Sequence, residues 1–446
     1  MVVSLTSRLA LGATLPNLHA GVSGTVKVGL LVPLTGDVRA WGEPGLHGCR
    51  IWADRVNAAG GLAVAGGRLQ VELAAFDCQY DPDLALQGAR QLILQDGVKL
   101  LMMLGGDTFP PVQELICRHR ILTTTLLPSD LSPDAQFLIA PSEVHPLYNV
   151  TGVAWLAEHR PELRRAAICG QRDALGLPSI ATYRAAFEAA GIAIAREIFF
   201  DAGSGDPAAI VASMLEASPD ILCWTTAYEP YVHALTEAAF AQGFTGQLLS
   251  CTADNYQRLI ARTSHEFMEG FVFQFPDFDD PMLNRPGVSF PEPNAFFAEF
   301  NARFPGHWTA VSWEYAAALD LWQAAVEQAG TTEPISVLAA MKAGSRATHA
   351  FGEARWWGRE LFGIDSALVG DWPVVVIRDG KARIAEFRSI PEWLDKHGGL
   401  LKRHMQLLGQ LWDQRVAPRL TPDQRQPGPA FSRTVAARAN AGADGD

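Results

Sequence analysis

Short, nearly unbroken apolar runs alternate with stretches of helical pattern along most of this chain, and that alternation restricts the fold more than any other feature. Residues 26–34, VKVGLLVPL, are the first such run; with so little polar alternation they describe a strand covered on both faces. A Thr-Gly-Asp turn follows, then a helix over 45–59 closed by Gly60 and Gly61. Strands at 68–77, 98–104 and 120–127 then interleave with helices at 82–96 and 110–119. The series restarts with a helix at 147–158 and strands at 164–170, 192–200, 219–224 and 246–251, separated by helices at 179–191, 207–217 and 230–243. Strands that alternate with helices in this way are βαβ units, so the fold class is α/β, with two lobes of parallel sheet. A strand at 270–276, a helix at 312–328 with Tyr315, Leu319, Trp322 and Val326 on one apolar stripe, and a hairpin around Asp379-Gly380 follow. Between them Asp277, Asp279 and Asp280 read as a solvated turn.

Length and charge remove several functions. A chain of 446 residues has room for two or three cores. Its 36 Lys and Arg against 48 Asp and Glu give a net charge of −12, and the basic residues are scattered, so no nucleic-acid partner is expected. No apolar run reaches the ~18 residues of a membrane-crossing helix, so direct membrane insertion is not expected. Arg8 precedes a short apolar stretch at 9–15, with a possible processing site after Ala20. Residues 1–25 thus match a secretory leader only in part; periplasmic placement is expected, with a cytosolic start as the alternative. Six cysteines without a C-x-x-C spacing read as small buried hydrophobes, Cys78 being the one candidate for a bridge. Residues 386–446 read as a C-terminal extension: an amphipathic helix from residue 400, then a Pro-, Gly- and Ala-rich unpacked tail.

The devices by which α/β sheets handle dinucleotides, phosphates, zinc or acyl groups are missing: no G-x-G-x-x-G after a strand, no Walker loop, no H-E-x-x-H, no G-x-S-x-G. The histidines include no pair at i, i+4. No catalytic residue, metal or cofactor is expected.

Residues 26–61, VKVGLLVPLTGDVRAWGEPGLHGCRIWADRVNAAGG, carry a hydrophobic strand, a P-L-T-G turn, an aromatic-Gly pair, a long helix and A-x-G-G, and FDCQYDPDLALQGARQLI continues the pattern. This resembles the type I periplasmic binding proteins, the branched-chain amino-acid-binding group of ABC-transporter receptors, over residues 26–385. The resemblance implies two Rossmann-like lobes, 26–141 plus 271–343 and 142–270 plus 344–385, joined by three crossovers. It also implies a small-molecule solute held between the lobes at the carboxyl ends of the sheets, and delivery to a membrane ABC permease. A cytosolic ligand-sensing regulator on the same fold is the alternative.

Carried over position by position, the resemblance assigns the amides of Gly106 and Asp107 and the Thr108 hydroxyl to a ligand carboxylate, with the Leu127 carbonyl or amide and the Ser129 hydroxyl beside them. Thr108 and Ser129 equally suit helix caps. Trp41 covers the ligand or packs the lobes together, and Phe109 supplies a second ring. From the other lobe come Leu175 and, at or beside a contact position, Tyr228. Where amino-acid-binding relatives present a carboxylate for the ammonium, the matching position is Thr252, with Asp254 two residues on. Without that carboxylate a buried ammonium lacks its counter-charge, which costs several kcal/mol. The expectation is therefore a small carboxylate with an aromatic or apolar body, ahead of leucine-like ligands, with amide- or urea-like solutes as a further alternative.

Overall fold

The computed structural model describes residues 22–344 and 347–415; residues 1–21 of the leader expected at 1–25 and the tail beyond 415 lie outside them, while residues 22–25 belong to the first strand. Two sheets organise these residues. The first contains β1 (Val22–Val32), β2 (Leu62–Val64), β3 (Gly67–Asp77), β4 (Leu100–Met103), β5 (Leu122–Thr124) and β6 (Leu138–Ile139) in the order β2-β3-β1-β4-β5-β6. All pairs are parallel except β2 with β3. The second contains β7 (Arg165–Gln171), β8 (Ala193–Phe200), β9 (Ile221–Cys223), β10 (Gln247–Leu249), β11 (Val272–Phe273), β12 (Ala347–His349), β13 (Gly352–Trp357), β14 (Ala367–Arg378) and β15 (Lys381–Ser389). Its order is β12-β13-β14-β11-β10-β9-β7-β8, with β15 on β14, parallel through β7–β11 and antiparallel beyond. The central strands β4 and β9 are buried at every residue, as their unbroken apolar sequences require.

Each sheet with its helices forms a lobe, and the chain crosses between the lobes three times. The first crossing joins β6 to the helix Asn149–His159. The second follows β11, so the strand expected at 270–276 pairs within the second sheet. Helices Pro293–Arg303, Val311–Ala329 and Pro334–Met341 then return to the first lobe before β12. Val311–Ala329 lies against Glu43–Ala58 so closely that a Cβ on Gly45 would stand 2.0 Å from the Tyr315 ring, and one on Gly48 1.9 Å from the Ser312 carbonyl oxygen. Only glycine permits that approach.

The hairpin expected around Asp379-Gly380 is β14–β15, with Arg378 paired to Lys381. Beyond it the helix runs Ile390–Leu407, ten residues earlier than its amphipathic pattern suggests, and packs on the helix Gly176–Ala190 and on β14. The acidic trio is no solvated turn: Asp277 accepts from Tyr256, Asp279 pairs with Arg383, and buried Asp280 accepts from the Met282 and Ile384 amides. All six cysteines are free, and Cys78 is buried. Trp356 Nε1 donates to the Met341 carbonyl and anchors the third crossing.

Candidate functional site

Leu104, Leu127, Leu175, Thr226 and Thr252 come from the loops after β4, β5, β7, β9 and β10, and they line one cavity between the lobes. Open α/β sheets gather ligands at such carboxyl ends. Trp41, Ala310 and Val311 close it from the first lobe; Glu143, His145 and Tyr148 close it from the first crossing. Its volume is about 20 Å³, room for little more than one water. A larger groove of about 360 Å³ lies on the other side of Asp254, between Tyr256 and Trp308.

Asp254 joins the lobes. Its Oδ2 accepts from Trp41 Nε1 at 2.8 Å, and its Oδ1 accepts from the Ala310 amide at 2.8 Å. The Asp254 backbone carbonyl meets His233 Nε2 at 2.8 Å, which fixes the loop from its own side. Burial pushes the Asp254 carboxyl up to about 6, although the Ala310 and Trp41 donors favour the ionised form. Beside this contact, Tyr228 meets the rings of Trp41 and Tyr80 edge to face, at 5.9 and 6.2 Å. Two first-lobe rings thus grip one from the second.

The floor of the cavity is acidic. Glu143 Oε1 accepts from the Tyr148 hydroxyl at 2.6 Å, and the same hydroxyl lies 3.2 Å from Cys251 Sγ. Glu314, in the first turn of Val311–Ala329, is fully buried beside Glu143, and neither of its oxygens has a conventional donor. Burial raises both carboxyls; Glu143 raises Glu314 further, while the hydrogen bond from Glu314 lowers Glu143, so a proton carried by Glu314 and held between the two satisfies the pair. His145 Nε2 bonds Thr226 Oγ1 at 2.8 Å while its Nδ1 is buried without a partner; burial lowers its pKa to about 3, so the ring is neutral. Among the described residues, no Lys or Arg lines this cavity.

The residues selected from sequence divide into three groups. Trp41, Leu127, Leu175 and Thr252 line the cavity, and Asp254 and Tyr228 stand beside it in the contacts between lobes. The third group is engaged within the first lobe. The Gly106 amide donates to the Asp130 carboxylate at 3.0 Å, the Asp107 amide to the Tyr80 hydroxyl at 3.3 Å, and the Thr108 hydroxyl to the Gly105 carbonyl. Phe109 is core, and the Ser129 hydroxyl is buried without a partner. The Leu127 amide donates to Thr125 Oγ1, and its carbonyl accepts from the Asp130 amide. Sequence reasoning missed Glu143, His145, Tyr148 and Glu314. The first three lie in a crossing without periodicity; Glu314 had a signal, a carboxylate next to the apolar stripe of a core helix.

A family model described as periplasmic binding protein matches residues 25–381. The chain belongs to that family. This periplasmic binding protein also superposes on solved structures at low identity. A leucine-binding protein of Thermotoga maritima is 17% identical, with a TM-score of 0.66, covering 82% of this chain and 100% of that one. A solute-binding protein of R. palustris in complex with 4-hydroxybenzoate is also 17% identical, with a TM-score of 0.67 and coverage of 82% and 97%. An ABC-transporter substrate-binding protein of Sphaerobacter thermophilus is 19% identical, with a TM-score of 0.65 and coverage of 82% and 98%. No curated protein matches the chain by sequence. At these identities the likeness is one of fold, and the periplasmic binding protein's own side chains must supply the account of its ligand. Among the described residues no helix is long and apolar enough to cross a membrane.

Proposed function

We propose that this periplasmic binding protein is the solute receptor of an ABC importer, working in the periplasm and handing its ligand to a membrane permease. Its ligand is a small solute with a flat or branched apolar body and an N–H-bearing head: an amide, a urea or an amidinium. The observation that carries this reading is buried Glu143 in the cavity lining, backed by buried Glu314, with no basic side chain in the lining. A free carboxylate placed there would face Glu143, with Glu314 behind it, and no cation, whereas an N–H donor finds an acceptor in Glu143. The amides of Gly106 and Asp107, which a carboxylate ligand would need, already have acceptors in this chain. Trp41, Tyr148, Leu127 and Leu175 supply the walls for the apolar body.

One observation favours a second reading, the aromatic acid expected from sequence. Structures of the same fold hold 4-hydroxybenzoate, 3,4-dihydroxybenzoic acid and benzoate, and this cavity also has aromatic walls. Benzamide, benzamidine and benzoate share a body and differ in the head, so thermal-shift titration of the purified chain separates the readings. Stabilisation by benzamide or benzamidine and none by benzoate is expected. The reverse order supports the acid, stabilisation by leucine alone supports an amino-acid receptor, and no shift with any of them sinks all three.

A further inference from the structure

Away from the cleft, the geometry points to a divalent transition-metal site formed by Glu43, His47 and His307. Glu43 opens the helix Glu43–Ala58 and His47 stands one turn on, so a spacing of four puts both side chains on one helix face. His307 comes from the segment between Pro293–Arg303 and Val311–Ala329, which Thr309 ties down by donating to the Ala40 carbonyl at 2.8 Å. One ligand atom from each of the three lies within 4.8 Å of the others, and His307 Nδ1 is 3.5 Å from Glu43 Oε2.

His47 is the residue that asks for an explanation. Only 7% exposed, its ring lies flat on Phe304 at 3.9 Å, and its buried Nδ1 makes no hydrogen bond. A buried polar atom left without a partner destabilises the fold, and an ion is one of the few things that accounts for one.

Two imidazoles and a carboxylate suit Zn²⁺ or Ni²⁺ and not Mg²⁺ or Ca²⁺, which prefer oxygen alone. Metal–nitrogen bonds of about 2.0–2.1 Å require the three donors to draw together, and His307, on a loop and a third exposed, is the one free to swing. Arg39 donates to Glu43 at 2.6 Å, and Arg50 is a further basic neighbour of His47; both oppose a dication. Arg39 has a side chain 52% exposed and can turn outward, so the site is expected to be exchangeable and weaker than a closed four-ligand zinc site.

The test is calorimetric titration of the untagged, chelator-stripped full chain with Zn²⁺ and Ni²⁺. One saturable site per chain is expected, with no response to Mg²⁺. His307→Ala and Glu43→Gln should each weaken it by ~10-fold or more, as expected for lost or weakened ligands, while His119→Ala, at an exposed histidine elsewhere, should leave it unchanged. Co²⁺ should give a visible absorption band that His307→Ala abolishes. Lack of saturable one-to-one binding, or equal binding by the His307→Ala variant with an unchanged melting curve, overturns the assignment.

Discussion

Trp41 and Asp254 are 213 positions apart in the chain and 2.8 Å apart in space. Each belongs to a different lobe, so this hydrogen bond, with the one from the Ala310 amide, converts a contact between rings into a specific latch. Trp41→Phe keeps an aromatic ring against Tyr228 but leaves Asp254 Oδ2 without its donor. Loss of ~1–3 kcal/mol of unfolding free energy is expected, read from urea denaturation at neutral pH. An unchanged midpoint and slope would mean that the latch contributes nothing. Sequence reasoning selected both residues, Asp254 as a ligand contact and Trp41 either as a ligand cover or as packing between the lobes. That they meet each other depends on the approach of two loops from different sheets, which no local pattern encodes.

At the level of elements, the helix Ile390–Leu407 shows where the C-terminal extension belongs. Leu401 on that helix is fully buried, and the helix packs on Gly176–Ala190. Leu401→Ala should therefore cost ~2–5 kcal/mol in thermal or chemical denaturation, whereas an appended surface helix would lose almost nothing. The strands of both sheets were legible because burial on two faces writes itself as unbroken apolar sequence, as in LLMM of β4 and ILC of β9. Glycine ends and the Asp379-Gly380 turn were legible for backbone reasons. The pair β12–β13 was not: ATH and GEARWW lack a clean alternation, because β12 lies at the sheet edge on β13, and β13 takes its register from antiparallel pairing with β14. The acidic floor was hidden for a different cause. Glu143 sits in irregular backbone, and the one signal for Glu314 was its place next to Tyr315 on the apolar stripe of its helix.

For the whole molecule, buried acids set the dependence of stability on pH. Burial raises the carboxyls of Asp130, Glu143 and Asp320 to about 7, and those of Asp254 and Asp277 to about 6. A folded-state pKa above the unfolded value means that the native state holds more protons, so the contribution is complete below about pH 4 and is lost as pH rises through 6 to 7. Buried His47, His145 and His349, with pKa values lowered to about 4, 3 and 4, act in the opposite sense, and their effect fades as pH rises through about 6.5 to 7.5. Between pH 6.5 and 8 the acids outweigh the histidines, and the melting temperature should fall by an amount corresponding to ~1 kcal/mol or more. Scanning calorimetry across that range checks it; a rise over the same interval would contradict the burial of these groups. The proton shared by Glu143 and Glu314 has one further consequence. An amidinium arriving at that floor would expel it to the surrounding solution, so the heat of capture measured in Tris and in phosphate would differ by the ionisation enthalpies of the two buffers.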